Sequence, residues 1–82
     1  MNYEDRVKSC IRSFERYEFE RMRNKNRLLG GIPISYKHQD ICREIAIRQY
    51  NMLVGEGSAI RDITEGFRLV QEWRRGFLFS AI

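Results

Sequence analysis

The chain has 82 residues, a formal net charge of +4 and 43% hydrophobic residues. This length allows a single domain, 1–82, and the composition is typical of a folded protein, not a disordered one. No apolar run is long enough to span a bilayer and the N-terminus lacks the apolar core of a signal peptide, so we expect a cytoplasmic, reduced protein. Between Arg21 and Gln39 there are five basic residues and no acidic one, which concentrates the positive charge there.

Three stretches carry apolar residues in steps of three and four, which is the helical period. They are separated by Gly30-Gly31 and by Gly55-Glu56-Gly57-Ser58, which supply helix stops. The pattern predicts helices at about 2–29, 36–54 and 59–76, with Asn2, Ser35 and Ser58 as N-caps. The fold class is therefore all-α: a three-helix antiparallel bundle or hairpin with a long first helix, completed by oligomerisation.

The first helix has two distinct faces. One is apolar and carries Tyr3, Val7, Cys10, Ile11, Phe14 and Tyr17. The opposite face carries Arg12, Arg16, Phe19, Arg23 and Arg27. Like charges at i,i+4 cost a few tenths of a kcal/mol in a bare helix, and a bound anion would relieve them. We predict a partner- or anion-binding surface on this face, extended by Lys25, Lys37 and His38; a plain solvated face with Phe19 buried by another helix would explain the same residues.

The second helix is apolar on two sides. Its main face carries His38, Ile41, Cys42, Ile45, Gln49, Met52 and Leu53, and a weaker stripe carries Tyr36, Ile47, Tyr50 and Val54. A helix of this kind usually has neighbours on both sides. The first helix, roughly 38 Å long against roughly 27 Å for the others, should also overhang the bundle at its N-terminal end. We therefore predict a homo-oligomer with an interface that includes Tyr3, Val7, Ile47, Tyr50, Phe77 and Phe79.

The third helix should be amphipathic. Ile60, Ile63, Phe67, Val70, Phe77 and Leu78 form its apolar face, and Arg61, Glu65, Arg68, Glu72 and Arg75 form a charged face spaced for ion pairs in solvent. Gly66 within a helix costs about 1 kcal/mol relative to alanine, which indicates a close helix–helix approach. Gly76 is expected to interrupt the helix before the apolar end of the chain.

The candidates for chemistry are few. His38 and Cys42 lie four residues apart on one face, but a zinc site needs about four ligands and a catalytic thiol needs an activated thiolate. In an antiparallel hairpin Cys10 and Cys42 would lie roughly 18 Å apart, beyond disulfide reach. No paired carboxylates, nucleophile motif or phosphate-binding glycine loop is present. We therefore expect no enzyme activity, no metal and no cofactor.

Two functional hypotheses remain. The first is a non-enzymatic binding protein (a regulator, adaptor or inhibitor) that occupies a partner surface through its arginine face. The alternative is nucleic-acid or nucleotide binding through the same face, with Phe19 stacking on a base. Helix-turn-helix and basic-zipper binding fit neither the helix lengths nor the position of the basic residues. The segment 73–79 could contact a membrane surface, but docking against a neighbouring helix or subunit is the better interpretation.

Overall fold

A computed structural model describes the backbone of residues 2–80 and the side chains of residues 2–77. It contains three α-helices: α1 (Tyr3–Leu29), α2 (Lys37–Val54) and α3 (Phe67–Ser80). Two short 3₁₀ turns, Glu56–Ser58 and Ile63–Gly66, lie between α2 and α3. Residues 2–80 contain no strand, so the predicted all-α class is confirmed. Within the described part of the chain, no helix combines the length and apolarity needed to cross a membrane.

The ends of α1 follow the sequence prediction. The Asn2 side chain accepts a hydrogen bond from the backbone N–H of Asp5 at 2.8 Å, as an N-cap should. The helix ends at Gly30-Gly31, and Gly31 takes the positive φ of +73° that favours glycine. The start of α2 differs, because its N-cap is Tyr36, which makes no side-chain capping bond. Ser35 contributes only a long bond, accepted by its Oγ from the Lys37 N–H at 3.3 Å.

Helices α1 and α2 pair in antiparallel fashion through polar contacts as well as apolar ones. Ser13 Oγ donates to Gln49 Oε1 at 2.6 Å near one end of the pair. Toward the other end, Asn24 Nδ2 donates to Gln39 Oε1 at 2.9 Å. Both cysteines are buried and free, in agreement with the prediction that they form no disulfide.

The core face of α2 is not the one that the sequence predicts. The buried residues are Cys42, Ala46 and Tyr50, while Ile41 and Ile45 of the predicted face are 46% and 45% exposed. Ala46 is fully buried and belongs to the core cluster that includes Cys10 and Phe14 of α1. The number of apolar residues favours the face with the larger side chains, but α2 packs against α1 through the face that carries Ala46. As a result, α2 keeps an apolar stripe in solvent.

The start of α3 is also later than predicted, at Phe67 instead of residue 59. Ser58 does not cap a helix; it closes the first 3₁₀ turn. The side chain of Asn51 explains the irregular path, because it accepts from the Ile60 N–H at 2.8 Å and donates to the Ile60 C=O at 3.0 Å. These two bonds fix the Ile60 backbone against the side of α2, ahead of the first turn of α3. At the other end α3 continues through Gly76 to Ser80, so the predicted interruption is absent.

Phe14 lies at the centre of the core and is fully buried. Its ring centroid is 5.2 Å from that of Phe67 in an edge-on arrangement and 5.9 Å from that of Tyr50. Gly66 packs directly against this ring: a Cβ added there would lie 3.0 Å from Phe14 Cζ and 2.9 Å from Ile60 Cδ1. The predicted close approach at Gly66 is therefore present, although Gly66 lies in the second 3₁₀ turn and not inside α3.

Helix α3 covers the N-terminal half of α1, which the sequence predicts to overhang. Lys8 Nζ lies 5.2 Å from the centroid of the Phe77 ring, and Tyr3, Val7 and Trp73 line a cleft between the two helices. The uncovered end is the opposite one, where Leu29 is 78% exposed. The radius of gyration, 14.2 Å, accordingly exceeds the value of about 12 Å expected for a compact chain of this length.

This arrangement changes the account of the predicted interface residues. Val7 and Tyr50 are 3% and 5% exposed and belong to the core of the single chain. Ile47 and Phe77 are partly buried against the same core, whereas Tyr3 is 64% exposed. Phe79 lies in α3, and its side chain is outside the described residues. The apolar character of Val7 and Tyr50 thus needs no second subunit.

Candidate functional site

A groove runs along one side of the α1–α2 pair, and the section of it with the largest volume lies where the C-terminal half of α1 meets the start of α2. This section has a volume of about 430 Å³. It brings together four of the predicted binding residues, Arg23 and Arg27 from α1 and Lys37 and His38 from α2. All four side chains are exposed. The basic character predicted from the sequence is therefore shared between two helices.

Glu20 forms part of the lining of this section and, among the described residues, is the only acidic one in it. Its side chain is only 4% exposed, and Oε1 lies 3.5 Å from Arg16 Nη2 and 3.5 Å from His38 Nε2. At that distance both contacts are electrostatic, and Oε1 accepts no hydrogen bond from the described residues. A buried carboxylate needs positive charge to offset its lost hydration. The Arg16 guanidinium supplies such a charge, and the Glu20 carboxylate in turn offsets part of the positive charge of the groove.

The N-terminus of α2 adds to the positive potential of the same section. Helix N-termini present unpaired N–H groups and carry a partial positive charge. Since Tyr36 makes no capping bond, only Ser35 Oγ, at 3.3 Å from the Lys37 nitrogen, partly satisfies this end. Ser35 and Lys37 both line the groove, so the backbone and side-chain charges act in the same place.

The groove continues along α1 toward its N-terminus in two smaller sections. The second has a volume of about 230 Å³ and is lined by Ser9, Arg12, Ser13, Arg16, Cys42 and Ile45. The third has a volume of about 260 Å³ and is lined by Arg6, Ser9, Gln49, Met52 and Leu53. We refer to the three sections together as the α1–α2 groove.

The two walls of the α1–α2 groove differ in chemistry. The α1 wall carries five exposed arginines along its length: Arg6, Arg12, Arg16, Arg23 and Arg27. The α2 wall carries the apolar stripe left in solvent, Ile41, Ile45 and Met52, which are 46%, 45% and 72% exposed. A groove with one basic wall and one apolar wall can accommodate a ligand that is itself acidic on one side and apolar on the other.

Two of the predicted binding residues lie outside the groove. Phe19 is 60% exposed and lines none of the three sections, so the alternative in which another helix buries it does not hold. Lys25 is exposed but likewise lines none of the sections. The remaining six predicted residues all line the groove.

The structure shows no arrangement for metal or thiol chemistry at His38 and Cys42. His38 contacts Glu20, and Cys42 is 7% exposed beneath the second section of the groove. Among the residues that the structure describes, no group of three or more His, Cys, Asp or Glu side chains could hold a metal ion. The thiol of Cys10 is fully buried, and desolvation raises its pKa from 9.0 to about 11, which makes it a poor nucleophile at neutral pH.

Sequence reasoning missed the role of Glu20 and of the α2 wall. Glu20 lies among arginines in the sequence, which predicts an exposed acidic side chain that weakens their positive potential. Glu20 and Asn24 are both buried, and no pattern in the sequence marks either of them as facing α2. Ile41 and Ile45 have the spacing of a core face, so only the structure reveals that they are exposed.

No protein-family model, curated protein or solved structure significantly matches this chain.

Proposed function

We propose that this chain is a non-enzymatic binding protein, acting as a regulator, adaptor or inhibitor, that holds an acidic amphipathic segment of a partner protein in the α1–α2 groove. The observation that carries the proposal is the pairing of an arginine wall on α1 with an exposed apolar stripe on α2. Neither wall is needed for the core of the chain. Exposed apolar residues in a row next to a charged edge are typical of a protein-binding surface.

The shape of the groove suits a helix. From Arg6 to Arg27 the α1 wall spans 21 helical steps, or about 32 Å at the rise of an α-helix. Ile41, Ile45 and Met52 are spaced by four and seven residues, so they stand in line along α2. A partner helix laid between them would place its apolar side on this line and its acidic side on the arginines.

The charges along the groove also favour an acidic ligand. Arg12 and Arg23 form no ion pair with any described residue, so their charges are not offset within the described part of the chain. The only acidic lining residue, Glu20, is already placed between Arg16 and His38. Arginine guanidinium groups bind carboxylates through two parallel hydrogen bonds, which gives orientation as well as affinity.

Nucleic-acid or nucleotide binding through the same surface is the second candidate. Phe19 supports it, because this ring is exposed on the same helix as Arg16 and Arg23 and could stack on a base. The apolar α2 wall favours the protein partner, since phosphates and sugars gain nothing from contact with isoleucine. The two candidates therefore differ in which groove wall they require.

Fluorescence anisotropy with two labelled probes tests the proposal. The first probe is a helical peptide with Glu on one face and Leu on the other, and the second is a single-stranded oligonucleotide of similar length. We expect the peptide to bind more tightly, and Ile45→Ser with Met52→Ser to weaken it. Arg12→Glu with Arg23→Glu should weaken binding of either probe, because both depend on the arginine wall.

Matched controls separate groove binding from general charge effects. A scrambled peptide of the same composition keeps the charge and loses the apolar face. Arg61→Glu with Arg68→Glu makes the same change in net charge at exposed positions outside the groove. Equal binding of the scrambled peptide, or equal loss from the control variant, would refute the proposal. Tighter binding of the oligonucleotide, unaffected by the α2 wall, would support the nucleic-acid alternative.

Self-association is also proposed, on a narrower basis than the sequence suggested. Helix α3 covers the N-terminal end of α1, so the overhang no longer argues for a second subunit. The exposed apolar wall of α2 still supports self-association, because two copies of the chain could bury this wall against each other. Light scattering at tens of micromolar should then report a dimer for the unmodified chain and a monomer for Ile45→Ser with Met52→Ser. A monomer in both cases would contradict self-association.

A further inference from the structure

The turn between α1 and α2 forms an apolar end on the hairpin. Leu28, Leu29 and Ile32 are 60%, 78% and 52% exposed, and they flank Gly30-Gly31. We call these three aliphatic residues the hairpin tip. None of them packs in the core cluster, and none lines the α1–α2 groove. The aliphatic side chains of the hairpin tip are thus separate from the apolar wall of the α1–α2 groove, although Arg23, Arg27 and Lys37 lie near both.

The backbone of this turn is well satisfied by hydrogen bonds. The Gly31 N–H donates to the Leu28 carbonyl at 3.0 Å, and the Ile32 N–H donates to the Arg27 carbonyl at 2.9 Å. This pair of bonds is the Schellman motif, in which the residue after the turn normally packs on an apolar side chain one turn back. Here the residue one turn back is Arg27, and Ile32 stays half exposed. The turn therefore fixes the backbone while leaving its aliphatic side chains in solvent.

Positive charge surrounds the hairpin tip. The basic residues between positions 21 and 39 are Arg21, Arg23, Lys25, Arg27 and Lys37, and no acidic residue lies in that range. The acidic residues just outside it are engaged: Glu18 with Arg21 at 4.0 Å, Glu20 with Arg16 at 3.5 Å and Asp40 with Arg43 at 3.7 Å. The charge on this end of the molecule is therefore strongly positive.

We propose that the hairpin tip docks on a lipid bilayer that contains anionic lipids. The three aliphatic side chains would enter the boundary between headgroups and acyl chains, and the surrounding basic residues would contact lipid phosphates. Two signals of this kind, apolar insertion and basic charge, reinforce each other in peripheral membrane binding. A second copy of the chain is a poor occupant, because pairing two tips would bring two sets of five basic residues together.

Vesicle cosedimentation tests the proposal. The unmodified protein should bind vesicles of phosphatidylcholine with phosphatidylglycerol, and bind pure phosphatidylcholine much more weakly. Leu28→Ser with Leu29→Ser should reduce the binding constant roughly tenfold or more, because two inserted side chains are lost. Lys25→Gln should reduce it roughly fivefold through the loss of one surface charge. Both leucines are exposed, so circular dichroism should show unchanged helicity in the double variant.

A groove variant and a depth probe complete the design. Ile45→Ser with Met52→Ser removes exposed apolar side chains of the α1–α2 groove and should leave vesicle binding unchanged, so the two proposals can fail separately. Leu29→Trp should show a blue-shifted emission that brominated lipids quench. Vesicle binding that survives the change at Leu28 and Leu29 would overturn the proposal, as would no binding. Loss of acidic-peptide binding in that variant, without any vesicle binding, would assign the tip to a protein partner.

Discussion

Glu20 Oε1 lies 3.5 Å from Nε2 of His38, so a buried carboxylate of α1 faces an exposed imidazole at the start of α2. Arg16 approaches the same oxygen at 3.5 Å from within α1. Among the described residues that line the α1–α2 groove, Glu20 is thus the one that carries a negative charge. Its position sets how much positive potential the groove presents to a ligand.

Glu20→Gln should therefore increase the affinity of the groove for an acidic peptide, by roughly twofold to fivefold, because one opposing charge is removed. The free energy of unfolding should change by less than about 1 kcal/mol, since the lost ion pair with Arg16 is offset by a lower desolvation cost. Anisotropy titration and urea denaturation measure the two effects. Weaker peptide binding would contradict this view and would show that Glu20 is needed to position Arg16 and His38.

Gly66→Ala should destabilise the chain by about 1–3 kcal/mol. The added methyl group would lie 3.0 Å from Cζ of the fully buried Phe14 ring and 2.9 Å from Ile60 Cδ1, so both side chains would have to shift. Gly57→Ala is the matched control, because its Cβ would meet nothing within 4 Å. Urea unfolding of both variants should separate them clearly. Equal stability of the two would show that Phe14 and Ile60 can shift at little cost.

Asn51→Ala should cost about 2 kcal/mol, because it removes both hydrogen bonds to the Ile60 backbone. Loss of these bonds leaves the Ile60 N–H and C=O unsatisfied next to the core. Asn26→Ala makes the same chemical change at an exposed position of α1 without removing a side-chain hydrogen bond. It should leave the free energy of unfolding nearly unchanged. Thermal unfolding is a sufficient measurement. A neutral Asn51→Ala would mean that water replaces the amide.

Stability should fall as the pH rises above 9. Burial raises the pKa of the Cys10 thiol from 9.0 to about 11, so the unfolded chain releases this proton at lower pH than the folded chain. The resulting stabilisation is complete below pH 9 and is lost progressively between pH 9 and 11, by an amount on the order of 2–3 kcal/mol. Desolvation also raises the pKa of the neighbouring Tyr50 and acts in the same direction.

Denaturation curves from pH 7 to 11 check this dependence. Cys10→Ala should be less stable at neutral pH because of the cavity, and its stability should fall less steeply above pH 9. An unchanged slope in Cys10→Ala would assign the alkaline loss to other groups. The same burial predicts that native Cys10 reacts with iodoacetamide at neutral pH only after unfolding.

Local signals in the sequence predicted much of the fold. The cap at Asn2 and the stop at Gly31 each depend on a few neighbouring residues, and both are present in the structure. The late start of α3 could not be predicted in this way, because the bonds that hold Ile60 come from Asn51, nine residues earlier. Long-range polar contacts of this kind leave no periodic pattern in the sequence.

The candidate site, like the fold, could be predicted from the sequence only in part. Arg12 and Arg23 could be identified as exposed because an arginine stripe opposite an apolar stripe faces solvent. The apolar wall of the groove could not be predicted, because Ile41 and Ile45 have the spacing of a core face. In the structure these two side chains are exposed and the smaller Ala46 is buried instead. Which of two apolar stripes is buried depends on shape complementarity with α1, and composition does not encode that directly.

The coverage of only the N-terminal half of α1 by α3 implies that the chain opens in two stages. Beyond Tyr17, α1 is joined to α2 by contacts such as the bond of Asn24 with Gln39, whereas the N-terminal half of α1 packs around the buried Phe14. The backbone amides of α1 beyond Tyr17 should therefore exchange with deuterium through local opening, well before the amides beside Phe14. A ligand that bridges α1 and α2 near Arg23 and Lys37 would slow that exchange, and the protected amides would map the ligand's position along the hairpin.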